Sequence, residues 1–135
     1  MSAASDYLEN KVLDHVLKNT AYTSPSTVYL GLFKNDSTNA AANLESGVLT
    51  DEVSGGAYTR KAITFASASA GASASNATVQ FDAATADWGT VTHIAILDAS
   101  TSGNVLFWGA LTASKVVSTG DTFQVSSGNL TITLA

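Results

Sequence analysis

The chain has 135 residues, no cysteine, one proline and a net charge of −5, so it is long enough to bury one core without disulfides. Its six basic residues, Lys11, Lys18, Lys34, Arg60, Lys61 and Lys115, are scattered, which excludes a phosphate-tracking surface and hence a nucleic-acid partner. No basic region precedes an apolar run near the start, and no apolar stretch approaches the roughly 18 residues of a membrane span, so neither a signal peptide nor a membrane partner is expected.

Ser5 or Asp6 caps a predicted helix over 6–18, with Glu9 three residues after Asp6 as in a capping box. Leu8, Val12 and Val16 recur at i, i+4 and i+8, with Leu13 and Leu17 beside them, while Glu9, Asn10, Lys11, Asp14 and Lys18 face away. This apolar side either covers an open end of the domain or docks on another subunit. Residues 19–26 hold Pro25 and a run of Asn, Thr and Ser, so the helix stops there.

Residues 27–33 alternate Val28, Leu30 and Leu32 against Tyr29, Gly31 and Phe33, a strand that is apolar on both sides. A long polar connection over 34–56 follows, longer than a compact domain tolerates without a purpose. It reads either as a solvated, mobile loop or as a contact surface, with Leu44, Val48 and Leu49 as its candidate contact residues. Residues 58–65 form a second strand, with Ile63 and Phe65 inward and Arg60 and Thr64 outward; Gly55 and Gly56 suit the turn before it. The stretch ASASAGASASNA over 66–77 has side chains too small for a core and reads as a flexible or edge-lying connection.

After a short strand over 78–81, two β-branched and aromatic runs, 91–97 and 105–111, flank a polar link over 98–104 that carries Asp, Ser, Gly and Asn. This is a β-hairpin, apolar on both faces, and therefore internal to a fold or an assembly. Residues 122–125 and 130–134 close the chain as alternating strands. About seven strands with no helix between them give a mainly β fold: an antiparallel, jelly-roll-like β-sandwich in one domain over 1–135, with an N-terminal helix within 1–20.

No catalytic constellation emerges. Of the two histidines, His15 and His93, the second shares an alternation face with Val91, Ala95 and Leu97, as a hydrogen-bonded core or interface residue would. No serine sits in G-x-S-x-G, no cysteine or histidine pair has zinc-ligand spacing, and no phosphate-binding loop is present. Neither the Asp82 and Asp87 carboxylates nor the single carboxylate of the 98–104 link marks an acid pair or a calcium site. The chain is expected to be no enzyme, with no cofactor and no metal. Trp88, beside Asp87, either fills a core or subunit interface or stacks on a sugar in a carbohydrate-binding host-attachment module.

Five blocks form a recognisable set: SDYLENKVLDH at 5–15, AYTSPSTVY with LGLF at 21–33, EVSGGAYTR at 52–60, ATADWGTVTH at 84–93 and GALTASK at 109–115. In order and over nearly the whole chain, they resemble a family of small structural proteins of tailed bacteriophages that commonly carry the label tail fibre protein. The 35–50 stretch is longer than that pattern. The resemblance implies a non-enzymatic virion protein, assembled in the host cytoplasm and partnered by major capsid or tail subunits. It also implies a homo-oligomer, such as a trimer. The chain has neither the long repeats nor the coiled coil of an extended fibre, so a cement or decoration protein on the capsid surface is the first expectation and a tail or tail-fibre component the alternative. Leu8, Val12, Val16, Leu44, Val48, Leu49 and Trp88 are the candidate interface residues.

Overall fold

The hairpin forms because its two runs each present β-branched or aromatic side chains to both faces, and the computed structural model of the chain places it at the centre of a five-stranded antiparallel sheet. The described residues are 3–134; residues 1, 2 and 135 of the expected domain lie outside them. In chain order the elements are β1 (Ala3–Ala4), α1 (Asp6–Leu17), β2 (Val28–Phe33), α2 (Ala40–Glu45), β3 (Lys61–Ile63) and β4 (Ala72–Ala74). They continue with β5 (Val79–Gln80), β6 (Gly89–Leu97), β7 (Val105–Val117), β8 (Gln124–Val125) and β9 (Thr131–Thr133). The sheet order is β1-β7-β6-β2-β3, and two ribbons, β4-β9 and β5-β8, form the facing layer. The fold is thus a mainly β, antiparallel sandwich behind an N-terminal helix, with a second helix and two short strands beyond the expected seven.

Both faces of the hairpin are covered within the chain. On one, Leu30, Leu32, Ile94 and Ile96 pack with Val79, Phe81, Trp88 and Phe123 of the ribbon layer. On the other, Phe33, Ala95, Leu97 and Val105 surround Leu44 of α2. The register places Leu30 opposite Ile96 and Phe33 opposite His93, which keeps these two sets apart. Val91 pairs with Lys115 and His93 with Ala110, so residues 111–114 bulge opposite the single Thr92. Val91 therefore joins the ribbon-side core rather than the His93 face it was expected to share.

Four local readings need correction. Ser5, not Asp6, is the N-cap, and its hydroxyl accepts from the Leu8 amide at 3.3 Å; the third helical position is then Leu8, so Glu9 takes no part in a capping box. The 34–56 connection is no open loop: it carries α2, and Leu44 and Ala40 on that helix are buried. The second strand shrinks to Lys61–Ile63, and Arg60 before it points inward, with only 3% of its side chain exposed. The small-residue stretch is pinned rather than flexible, with Ala66 and Ser75 donating backbone bonds to Ala74 and Leu130 at 2.9 and 2.8 Å.

Candidate interaction surfaces

One end of the sandwich is polar and firmly held. Arg60 donates from Nε and Nη2 to the two carboxylate oxygens of Glu52, both at 2.7 Å, and from Nη1 to the carbonyls of Ala99 and Ser102, both at 2.8 Å. A single guanidinium thus ties the 52–60 segment to the hairpin tip, using the forked geometry that a lysine lacks. Burial alone would lower the Arg60 pKa, but the Glu52 carboxylate more than offsets this and raises it. Tyr58 donates to Glu52 Oε2 at 2.7 Å and accepts from the Leu32 amide at 3.0 Å; burial, then Glu52, pushes its phenol far above the usual range. Gly31 leaves room for this carboxylate, since a Cβ there would lie 2.9 Å from Leu97 Cδ1 and 3.3 Å from Glu52 Oε2.

Beneath this end Trp88 donates from Nε1 to the Gly56 carbonyl at 2.8 Å and meets the Tyr58 ring edge-on at 5.5 Å. The Asp98 carboxylate closes the hairpin tip by accepting from the Asn104 amide at 2.7 Å and its side chain at 2.9 Å. Between the 52–60 segment and the tip lies a cleft of about 260 Å³.

The helical end is apolar. Leu13, Val16 and Leu17 of α1 are 54, 69 and 78% exposed, a row left open by the described residues. An apolar groove of about 350 Å³ opens where Val28, Ile96, Leu106 and Phe107 of the sheet meet Phe65 and Ile132 of the facing layer. A larger depression of about 650 Å³ runs between distal β7 and residues 121–126; its charged members, Lys115 and Asp121, are both exposed.

The structure scatters the expected interface residues. Leu8 is buried against Ala4 and Leu106, with Val12 half-buried beside them, and of that helix row only Val16 reaches solvent. Leu44 is fully buried and Leu49 half-buried in the core behind the sheet, while Val48 is 41% exposed. Trp88 is 2% exposed inside the ribbon-side core, so it offers no ring face to a subunit or a sugar. Sequence reasoning missed Leu13 and Leu17 as the outermost residues of α1. It also missed the Glu52 and Arg60 pair, for which the only signal was an acid and a base flanking Gly55 and Gly56.

The 34–53 segment folds around Asp51. Its carboxylate accepts from the Ser37 amide and hydroxyl at 2.9 and 2.6 Å and from Asn43 Nδ2 at 3.2 Å. Burial pushes the Asp51 pKa up, but the Ser37 and Asn43 hydrogen bonds, with His93, leave it net lowered. Burial in turn lowers the His93 pKa, which Asp51 only partly restores. His93 Nδ1 lies 2.8 Å from Thr92 Oγ1 and its ring 6.4 Å from that of Trp108, and the residue borders a depression shared with Asn35 and Thr38. The Asp6, Glu9 and Glu45 carboxylates lie within 4.8 Å of one another, and Glu45 also accepts from Trp108 Nε1 at 2.5 Å. Among the described residues, no helix is long and apolar enough to cross a membrane.

No curated protein gives a match to the chain. A protein-family model described as podophage GP4 fiber I protein gp80 matches residues 3–133, from β1 through β9 and thus across both layers of the sandwich. The chain belongs to the podophage GP4 fiber I protein gp80 family, and is a structural protein of a bacteriophage virion.

Proposed function

We propose that the chain is a non-enzymatic subunit of the phage tail-fibre apparatus, acting by binding neighbouring virion proteins. The family match over residues 3–133, to a model described as a fiber protein, carries this reading. It moves the weight from the capsid surface, which the compact domain suggested, to the fibre. The exposed Leu13, Val16 and Leu17 row supports an assembly role, because soluble surfaces seldom keep adjacent aliphatic side chains this open without a partner. Homo-oligomerisation, as a trimer, and assembly in the host cytoplasm belong to the same proposal. Their test is complementation of a gene-deleted phage with Val16→Asp and Leu17→Asp chains. Both variants are expected to fold and to be missing from purified particles; normal incorporation would remove the helix row from the proposal.

A further inference from the structure

The exposed row on α1 has a counterpart elsewhere on the same chain. Leu13, Val16 and Leu17 stand at i, i+3 and i+4, the spacing with which a helix lays its apolar side into a groove. The apolar groove of about 350 Å³ is a receiver of that kind. Among the described residues no charged side chain lines it, and its one polar side chain, Ser73, already donates its hydroxyl to the Ala66 carbonyl at 2.6 Å. Nothing in the groove calls for a polar or charged occupant. Leu134, 54% exposed and part of the lining, widens the apolar surface.

The two features adjoin. Val28, Leu106 and Phe107 line the groove and also belong to the cluster under Leu8 and Val12, so α1 stands on the groove's wall. Its outer row takes no part in the lining, so the chain does not fill its own groove.

We propose that the groove receives the α1 row of a second copy of this chain. Each copy carries a net charge of −5, so copies repel one another and associate best where neither surface is charged, as this row and this groove are not. Row and groove are different patches, so the contact is head to tail and closes as a ring or runs on as a filament. The area decides for the ring. At about 100 Å² per fully open aliphatic side chain, the row offers about 200 Å² to bury, and one junction buries about 400 Å² with the groove counted. A stable pair needs about 1,600 Å², so a single junction is too small to hold. Taking one copy out of a closed ring breaks two junctions, about 800 Å², the scale of weak contacts. Copies already held side by side on a particle meet at high effective concentration and complete the ring there. The inference rests on the homo-oligomer of the fibre reading and names the surfaces that make it.

The test pairs complementary variants of the isolated protein. Val16→Asp/Leu17→Asp removes the row and keeps the groove; Ala68→Trp and, separately, Leu134→Asp block the groove from exposed positions and keep the row. In sedimentation equilibrium from about 10 μM to 1 mM, the parent's mass should rise with concentration and each variant alone should stay at one copy. The ¹⁵N-labelled row variant should show amide shifts at Phe65, Ala72, Ser73 and Ile132 when unlabelled groove variant is added, and none with unlabelled row variant. A parent that stays monomeric throughout, groove shifts equal with both additions, or no groove shift with either groove variant would overturn the proposal. A monomeric parent that is nonetheless present in particles overturns this docking and leaves the fibre reading standing. Absence from particles with the row-to-groove shifts intact does the reverse.

Discussion

Removing one member of the Glu52 and Arg60 pair should destabilise the domain far more than removing both. Only 3% of the Arg60 side chain and 17% of the Glu52 side chain is exposed, so Glu52→Leu strands a guanidinium that water cannot reach. It also deletes the Tyr58 bond to Glu52 Oε2. Breaking a buried pair from one side costs about 3–5 kcal/mol. The low end, about 3 kcal/mol, applies because Arg60 keeps two carbonyl partners. At about 2.1 cal/mol/K per residue, 135 residues give an unfolding entropy of about 0.28 kcal/mol/K, so Tm falls by about 10 °C. Arg60→Met should cost a similar amount by leaving Glu52 unpaired. The double variant Glu52→Leu/Arg60→Met should return to within about 1 kcal/mol of the parent, since neither charge then remains buried. Calorimetric melts of the four proteins close the cycle. Single-variant losses below about 1 kcal/mol, or a double-variant loss equal to their sum, would refute the burial and coupling of this pair.

Three further outcomes follow from the same structure. Leu44→Ala should cost about 3 kcal/mol in urea unfolding, as for other fully buried leucines, because its side chain is sealed between α2 and the sheet; a cost under about 0.5 kcal/mol would restore the 34–56 segment to a surface loop. Asp51→Asn should lose about 1 kcal/mol near neutral pH and flatten the acid side of the stability curve. The folded-state pKa of Asp51 is depressed, so its contribution is present above the unfolded value of about 3.9 and is lost as pH falls from there; an unchanged slope between pH 5 and pH 2 would contradict this. Leu8→Asp should unfold or strongly destabilise the isolated domain because Leu8 is buried under Leu106, whereas Val16→Asp should change its stability by no more than about 0.5 kcal/mol, a contrast that thermal melts of both variants measure.

Where side chains alternate cleanly, the fold was legible. Leu30 and Leu32 against Phe33, and Ile94 and Ile96 against Ala95 and Leu97, announce a two-faced central sheet, and the structure sorts them onto those faces. The elements that cover it were harder to read. In AAANLE only Leu44 is a large apolar residue, and Asn39 makes no side-chain cap, so neither periodicity nor capping signalled α2. β1 and β4 are built from alanine and serine, which carry no pattern and owe their pairing to Phe107, Trp108 and the Thr131–Thr133 strand. The polar end was invisible for a different reason. An arginine in a strand pattern reads as solvent-facing, and only the tertiary approach of residues 99–102 supplies the carbonyls that let Arg60 turn inward. On α1, the apolar side was recognised but divided wrongly, since Leu8 is buried and Val12 half-buried while Leu13, Val16 and Leu17 are exposed.

The most direct test of the assembly role is quantitative mass spectrometry of purified particles separated into head and tail fractions. A tail-fibre subunit is expected in the tail fraction, at a copy number far below that of the major capsid protein. Recovery with the heads at near-stoichiometric abundance, or absence from both fractions, would contradict it.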